Sequence, residues 1–309
     1  MPFAFVFPGQ GSQSVGMMKG YDGLPEIAET FREASDVLGQ DLWRLVQEGP
    51  AELLNQTVNT QPVMLTAGVA IYRAWRAIGG AAPAALAGHS FGEYTALVAG
   101  GALSFADTLP LVRFRAQAMQ EAVPEGVGGM AVILGLDDAP LAQVCSEAAQ
   151  GEVLEAVNLN SPGQIVIAGH RSAVLRGCEL AKAKGAKRAM LLAVSVPAHC
   201  ALMRPAAERM RERLGSVSVA APRIPVVQNA DVESYNDASS IKDALVRQLY
   251  SPVRWIETIR SFARQGVGSV VECGPGKVLG GLTKRIEANL NSLTFSDADA
   301  VRAALTQLQ

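Results

Sequence analysis

Cysteine, histidine and net charge are all scarce in this sequence of 309 residues. The four cysteines, Cys145, Cys178, Cys200 and Cys273, form no C-x-x-C pair, so neither a zinc knuckle nor a redox pair is indicated. In a chain of this length they are typical of the reduced thiols of a cytoplasmic protein. The 27 basic and 29 acidic side chains give a net charge of −2. Because a basic excess is lacking, we expect no nucleic acid as a partner.

Long apolar runs are absent as well. No stretch approaches about 18 apolar residues in succession, so we expect no transmembrane helix and no membrane association. The first apolar run ends at Pro8 and Gly9 and has no basic segment before it, so we expect no signal peptide. Hydrophobic residues nevertheless make up 49% of the chain, which is typical of a folded protein with a large core. The length favours a main domain that carries a smaller inserted one, or one large domain.

The first part of the sequence alternates short apolar strands with helical patterns. Strands are predicted over Phe3–Phe7 and Ala84–Gly88, because both are apolar runs that end in turn residues. Apolar residues between Val63 and Ile78 recur at intervals of three and four, which predicts a helix. Further helices are predicted from the second strand to about Gly100 and over Phe105–Val123. This alternation indicates a parallel sheet covered by helices.

The pattern changes after residue 125. The predicted elements there are strands at 129–136, 153–158, 164–168 and 189–194 and helices at 138–149 and 172–184. Their order, β-α-β-β-α-β, is that of a ferredoxin-like unit. We therefore predict a small domain over residues 126–197, inserted into a discontinuous large domain formed by 1–125 and 198–309. The large domain resumes with predicted strands at 224–228 and 269–272, and the tail beyond residue 289 is only weakly patterned.

One local motif indicates chemistry. Residues 88–92 read Gly-His-Ser-Phe-Gly, a G-x-S-x-G between a predicted strand and a predicted helix. The glycines leave room for a tight turn that exposes the hydroxyl of Ser90, and the following helix directs its first N–H groups at the site. A chance match is the alternative, but the strand–turn–helix context disfavours it. The motif therefore predicts Ser90 as a nucleophile.

A serine nucleophile needs a base, and the sequence has three histidines. His89 adjoins Ser90 and is expected to point to the opposite side, where it would brace the turn. His170 ends a predicted strand of the small domain, where a surface position is the simpler interpretation. His199 stands where the chain re-enters the large domain, beside an expected cleft, and is the best candidate. The spacing alone leaves this choice open.

Six segments spread along the chain resemble one family. They are Phe-Pro-Gly-Gln-Gly-Ser-Gln at 7–13, Gly-His-Ser-Phe-Gly-Glu at 88–93, Arg115, Val-Pro-Ala-His at 196–199, Gln-Leu-Tyr at 248–250 and Gly-Pro-Gly-Lys at 274–277. Each is weak alone, but together and in this order they resemble the malonyl-CoA:acyl carrier protein transacylase family over nearly the whole chain. The resemblance implies an α/β fold with an α/β-hydrolase-like large domain, built on a parallel sheet, and an inserted ferredoxin-like small domain. Ala198 departs from the serine expected there, and we expect no loss of activity from it.

The resemblance also implies a set of catalytic residues. It makes Ser90 the nucleophile and His199 the base, with the backbone carbonyl of Gln248 orienting the histidine in place of a carboxylate. The backbone N–H groups of Gln10 and Phe91 are expected to form the oxyanion hole. On the residues alone, the turn at Gln10 is simply the end of a strand.

Three further features are assigned through the same resemblance. Arg115 is expected to bind the free carboxylate of malonate, a task that suits a planar guanidinium with paired donors. A solvated helix arginine is the simpler interpretation of Arg115 without the resemblance. The turn at 274–277 is expected near the phosphates of coenzyme A. Lys277, Lys284 and Arg285 are candidate contacts to a carrier protein, although most lysines of this kind are only solvated at the surface.

The implied activity is the transfer of a malonyl group from malonyl-CoA to the pantetheine thiol of acyl carrier protein, supplying extender units for fatty acid synthesis. The expected partners are malonyl-CoA and an acidic acyl carrier protein that binds transiently, and a monomer is expected. Neither a metal nor a redox cofactor is expected, in line with the absence of H-E-x-x-H and G-x-G-x-x-G. Three alternatives stay open: a serine esterase or thioesterase, a trans-acting acyltransferase of polyketide synthesis, and a carrier-binding module without catalysis.

Overall fold

The structure, a computed structural model, describes residues 1–194 and 196–308. Ser195 and Gln309, which the predicted domain ranges include, therefore lie outside the described residues. The strands are β1 (Phe3–Phe7), β2 (Ala85–Gly88), β3 (Gly128–Leu134), β4 (Leu154–Ser161), β5 (Gln164–His170), β6 (Arg188–Leu191), β7 (Val226–Val227), β8 (Ser269–Glu272) and β9 (Asn291–Thr294). The helices are α1 (Pro25–Leu38), α2 (Leu42–Glu48), α3 (Ala51–Leu54), α4 (Thr57–Ala77), α5 (Gly92–Ala99), α6 (Phe105–Glu121), α7 (Asp138–Ala149), α8 (Arg171–Ala183), α9 (Arg204–Gly215), α10 (Ala238–Gln248), α11 (Trp255–Arg264), α12 (Val278–Ile286) and α13 (Ala298–Gln307). A short 3-10 turn over Ala201–Met203 precedes α9.

A parallel sheet forms the centre of the larger part of the molecule. Its strand order is β7-β2-β1-β8-β9, and every neighbouring pair is parallel. All residues of β1, β2 and β8 are buried, as expected of strands covered by helices on both faces. The carboxyl ends of neighbouring parallel strands meet at one edge, and in open α/β sheets that edge is where ligands bind.

The second sheet is antiparallel and has the strand order β4-β5-β3-β6. Helices α7 and α8 cover it, and their apolar residues join a core that includes Ile133, Ile165 and Ile167, each fully buried. This is the ferredoxin-like order β-α-β-β-α-β. The predicted fold class, an α/β protein with a parallel sheet and a separate ferredoxin-like sheet, is therefore confirmed.

The two sheets meet through β4. Its Leu159 N–H donates to Val253 O at 3.0 Å, and Val253 N–H donates back to Val157 O at 2.8 Å. Farther along the strand, Asn160 Oδ1 lies 2.8 Å from His89 Nε2 at the end of β2. The small sheet is thereby held against the carboxyl edge of the parallel sheet, beside the G-x-S-x-G turn.

The weakly patterned tail folds into regular structure. Strand β9 extends the parallel sheet beyond β8, and α13 follows it. The strand is short and polar, Asn-Ser-Leu-Thr, and is partly exposed at the sheet edge, so it has no apolar run for a sequence pattern to detect. Strand β6 ends at Leu191 rather than at the predicted Val194.

Candidate active site

Ser90 occupies a strained turn between β2 and α5. Its φ of 55° lies in the left-handed region, which a residue with a Cβ rarely adopts. The flanking glycines are required by space, because a Cβ on Gly88 would lie 1.9 Å from the carbonyl carbon of Gly92, and one on Gly92 would lie 2.5 Å from Phe7 O. The predicted turn is therefore present, and it presents Ser90 at the carboxyl edge of the sheet.

The hydroxyl of Ser90 meets the imidazole of His199. Ser90 Oγ lies 2.7 Å from His199 Nε2, and His199 Nδ1 lies 2.8 Å from the backbone oxygen of Gln248. A carbonyl oxygen only accepts, so Nδ1 carries the proton and Nε2 is free to accept the proton of the hydroxyl. This is the arrangement that a general base requires.

His199 is held in its neutral form. Its residue is 2% exposed, and burial together with the positive charge of Arg115 lowers its pKa to about 3. The imidazole is therefore unprotonated at neutral pH and can accept a proton.

The other two histidines lie apart from the hydroxyl. His89 points toward the small sheet, where it meets Asn160 and packs its ring edge against Trp255 at 5.3 Å between centroids. His170 ends β5, and its Nδ1 accepts from Val153 N–H at 3.0 Å. The structure thus brings only His199, of the three histidines, into contact with Ser90.

Gln10 and Phe91 border the same turn. Gln10 follows β1, and the turn before it packs on the serine turn, since a Cβ on Gly9 would lie 2.8 Å from His89 O. Phe91 is the residue immediately before α5. Within residues 1–194 and 196–308, the backbone N–H groups of Gln10 and Phe91 donate to no protein acceptor. Both are therefore available as donors to an oxyanion.

Arg115 is buried, with 1% of its surface exposed. The simpler interpretation of Arg115 as a solvated helix arginine is therefore wrong. Its Nη1 donates to Gln61 Oε1 at 3.0 Å, and its Nη2 donates to Gln248 Oε1 at 2.9 Å. Its guanidinium carbon also lies 5.7 Å from the ring centre of Tyr94. In the part of the chain that the structure describes, no carboxylate lies within ion-pair distance of Arg115, and its Nε has no hydrogen-bond partner.

The buried surroundings of Arg115 favour the binding of an anion. Burial lowers the pKa of Arg115, but a guanidinium still keeps its charge in a protein. A buried cation with unused donors is energetically costly unless an anion pairs with it. Arg115 can therefore bind a carboxylate in the same site, since Gln248 links its guanidinium to the backbone oxygen of Ser90.

Two residues that support the turn were not predicted. Asn229, just beyond β7, accepts from Ser90 N–H at 2.8 Å through its side-chain oxygen and donates to Gly88 O at 2.7 Å. The buried carboxyl of Glu93 accepts from Asn229 N–H at 2.6 Å. Burial raises the pKa of Glu93 to about 8. Only the position of Asn229 after a strand of the parallel sheet could have indicated it.

The turn at 274–277 leads from β8 into α12, and its expected place near the phosphates of coenzyme A stays a prediction. The carboxylate of Glu272, at the end of β8, accepts from Gly280 N–H at 2.8 Å in the first turn of α12. The helix N-terminus therefore already has a hydrogen-bond acceptor from this chain, and burial raises the pKa of that carboxyl.

Among the described residues, no group of three or more His, Cys, Asp or Glu side chains is arranged to hold a metal ion. Over the same residues, no helix has both the length and the apolar character needed to cross a bilayer.

The fold and this geometry define a class: α/β proteins in which a serine at a strand-to-helix turn contacts a neutral histidine. Comparison with known proteins gives the family. The family model for the acyl transferase domain matches residues 4–300. A malonyl CoA-acyl carrier protein transacylase of Salmonella typhimurium is 56% identical over 306 residues, 99% of each chain.

Solved structures agree with this relationship. The acyl-carrier-protein S-malonyltransferase of Burkholderia pseudomallei 1710b is 58% identical, with a TM-score of 0.98, and covers 99% of this chain and 100% of its own. A malonyl-transacylase solved in complex with its type II PKS acyl-carrier protein is 52% identical, with a TM-score of 0.98. The match covers 99% of this chain and 100% of the other. This chain belongs to the malonyl CoA-acyl carrier protein transacylase family.

Proposed function

We propose that this protein transfers the malonyl group of malonyl-CoA to the phosphopantetheine thiol of an acyl carrier protein, through a malonyl ester on Ser90. The observation that carries this proposal is the contact of 2.7 Å between Ser90 Oγ and His199 Nε2, beside a buried Arg115 that has no carboxylate partner among the described residues. The closely similar malonyl transacylases support the same substrate and acceptor. The product supplies extender units for fatty acid synthesis.

The first half-reaction forms the ester. Ser90 Oγ attacks the thioester carbon while its proton moves to His199 Nε2. The oxygen of the tetrahedral intermediate accepts hydrogen bonds from Gln10 N–H and Phe91 N–H. When the carbon–sulfur bond breaks, His199 returns the proton to the sulfur of coenzyme A, and the carbonyl oxygen of Gln248 holds the ring in place throughout.

The second half-reaction reverses these roles. The thiol of the carrier gives its proton to His199 and attacks the ester carbon. The bond to Ser90 Oγ breaks, and Oγ takes the proton back from His199. The transfer needs neither a metal nor a redox cofactor. No oxidation occurs, and the two backbone donors stabilise the negative charge of the tetrahedral intermediate.

Arg115 selects the acyl group in this mechanism. The free carboxylate of malonate accepts from the unused donors of the guanidinium. Because the charge of Arg115 contributes to the low pKa of His199, a bound carboxylate offsets that charge and makes His199 a stronger base. An uncharged acyl group lacks both effects.

The same proposal includes the domain ranges, the cellular location and the oligomeric state of the protein. Residues 126–197 form the small domain, and 1–125 with 198–309 form the large one. The protein acts as a cytoplasmic monomer that meets an acidic carrier transiently. Lys284 and Arg285, in the last turn of α12, are candidate contacts for that carrier.

A carrier of polyketide synthesis is the second candidate acceptor. It is favoured by the similarity to a transacylase that was solved with a type II PKS carrier. Parallel assays with a fatty acid carrier and a polyketide carrier test this, because the pathway acceptor should have the higher kcat/KM.

Hydrolysis is separated from transfer by one experiment. The protein is mixed with malonyl-CoA, with and without a holo carrier, and free malonate is measured. A transacylase forms malonyl carrier rapidly and releases malonate slowly when no acceptor is present. Rapid release of malonate over many turnovers would identify a thioesterase and contradict the proposal.

A further inference from the structure

A continuous chain of side-chain hydrogen bonds passes through Arg115. On one side, Arg115 Nη1 donates to Gln61 Oε1 at 3.0 Å, and Gln61 Nε2 donates to Thr57 Oγ1 at 3.2 Å. The Thr57 hydroxyl donates in turn to Gln10 Oε1 at 2.9 Å. This first branch ends on the residue whose backbone N–H faces the proposed oxyanion.

The second branch is shorter and ends on the nucleophile. Arg115 Nη2 donates to Gln248 Oε1 at 2.9 Å, and Gln248 Nε2 donates to Ser90 O at 3.0 Å. That carbonyl belongs to the peptide group whose N–H is the Phe91 donor. Gln248 also holds His199 through its backbone oxygen at 2.8 Å.

The direction of these bonds is fixed by Arg115. A guanidinium only donates, so each glutamine must turn its oxygen toward Arg115 and its NH2 group away. Gln61 is 2% exposed and Gln248 is fully buried, so water does not compete for either amide. In such surroundings the hydrogen bonds that Arg115 donates polarise the next bond in each branch, whereas the last link, from Thr57 to Gln10, is exposed to water.

We propose that Thr57, Gln61 and Gln248 are positioning residues through which a carboxylate bound at Arg115 sets the geometry of both oxyanion-hole donors. The inference rests on the proposed function, since it concerns the same acylation step. It adds that recognition of the malonyl carboxylate acts on the rate of acylation as well as on binding. An interaction of that kind, stronger in the transition state than in the ground state, raises kcat.

The structure offers a matched pair of variants at Thr57, which is the link farthest from the guanidinium. Thr57→Val keeps the shape and removes the hydroxyl, and Thr57→Ser keeps the hydroxyl. The rate constant for acylation of Ser90 is measured by rapid quench and intact mass, at saturating malonyl-CoA and at saturating acetyl-CoA. Thermal unfolding of each variant checks that it is folded.

For Thr57→Val we expect the malonyl rate constant to fall about 3- to 10-fold, the factor that one neutral hydrogen bond contributes. The acetyl rate constant should stay within about 2-fold, because no carboxylate is present to act through the chain. The KM for malonyl-CoA should change little, and Thr57→Ser should resemble the wild type. Equal losses for both acyl groups, or no loss for malonyl, would overturn the inference.

A second variant covers the case in which Thr57→Val does not fold. Gln248→Met keeps the backbone oxygen that holds His199 but removes the amide. Its effect on the malonyl rate should shrink to less than about 2-fold when Arg115 is already alanine, because the two residues act in one chain. Full additivity would contradict the inference. A wild-type protein that takes up no malonyl group at all would instead refute the proposed function, and this inference with it.

Discussion

The carboxyl edge of the parallel sheet and the small antiparallel sheet are built on different principles. At the edge, Ser90 and His199 have φ of 55° and 67°, in the left-handed region, and buried polar groups such as Glu93 and Arg115 surround them. In the small sheet, the core around Ile167 is mainly apolar, and strands β3 and β5 pair without a shift in register. The left-handed backbone of Ser90 and His199 and these buried polar groups therefore lie where bond-making chemistry is proposed, and ordinary packing supports them from the side.

The largest effect that follows from this comparison concerns the histidines. His199→Ala removes the base at the strained edge, and acylation should fall by at least about 10⁴-fold, as in enzymes whose serine loses its histidine. The measurement is the single-turnover rate of malonyl-enzyme formation.

His170→Ala is the control from the small sheet, where the ring only accepts a backbone hydrogen bond. It should leave the acylation rate within about 2-fold. A comparable loss in both variants would break the distinction between the two regions.

The next effect concerns the small sheet. Ile167 is fully buried, so Ile167→Ala should lower the free energy of unfolding by about 2–5 kcal/mol. Denaturant unfolding measures this, and the acylation rate of the folded variant should change less than about 3-fold. Leu175→Ala, at a position 44% exposed on α8, is the control and should cost less than about 0.5 kcal/mol. A large loss of acylation by folded Ile167→Ala would mean that the small sheet takes part in the chemistry.

A smaller effect separates two arginines of α6. Arg115→Ala should reduce kcat/KM for malonyl-CoA by about 10- to 150-fold, the equivalent of about 1.5–3 kcal/mol for a charge-assisted pair. Some transfer of uncharged acyl groups should remain.

Arg113→Ala is the matched control, because Arg113 is only partly buried and its hydrogen bonds go to Gln40 and Leu38 O at the end of α1. It should leave the preference for malonyl unchanged. Equal losses with malonyl-CoA and acetyl-CoA in Arg115→Ala would contradict the role of its guanidinium.

The smallest predicted effect is on stability against pH. The pKa of Glu93 is raised by burial to about 8, from an ordinary value of 4.5. Between these values the unfolded chain has lost the proton that the folded protein keeps, so this group makes stability fall as pH rises. Relative to Glu93→Gln, the wild type should therefore lose about 1 kcal/mol or more of unfolding free energy from about pH 5 to pH 8.

Urea unfolding across that pH range provides the measurement for Glu93→Gln. If the curve for Glu93→Gln ran parallel to that of the wild type, the Glu93 carboxyl of the folded wild type would be ionised at neutral pH. That result would contradict our account.

The sequence predicts the parts of this site that depend on local backbone. The turn at Ser90 follows from its own glycines, and the ferredoxin-like order follows from alternating patterns. The hydrogen bond from His199 to a backbone oxygen 49 positions away has no sequence signature, since every residue has such an oxygen. Only the family resemblance predicts it.

The burial of polar groups is the other feature that the sequence does not predict. Arg113 and Arg115 lie two positions apart on one helix, and only tertiary packing decides that Arg115 is buried. Asn229 supports the serine turn through contacts that span 139 positions, and the strand before it has only two residues. The tail strand β9 is too short and too polar to show a period.

The most direct test of the account is the site of the acyl intermediate. The protein is incubated with malonyl-CoA, its intact mass is measured, and the modified residue is mapped by peptide mass spectrometry before and after a holo acyl carrier protein is added. We expect one malonyl group per chain, on Ser90, which disappears as malonyl carrier forms and which Ser90→Ala never acquires. A malonyl group on another residue, or a malonyl carrier formed at full rate by Ser90→Ala, would contradict the account.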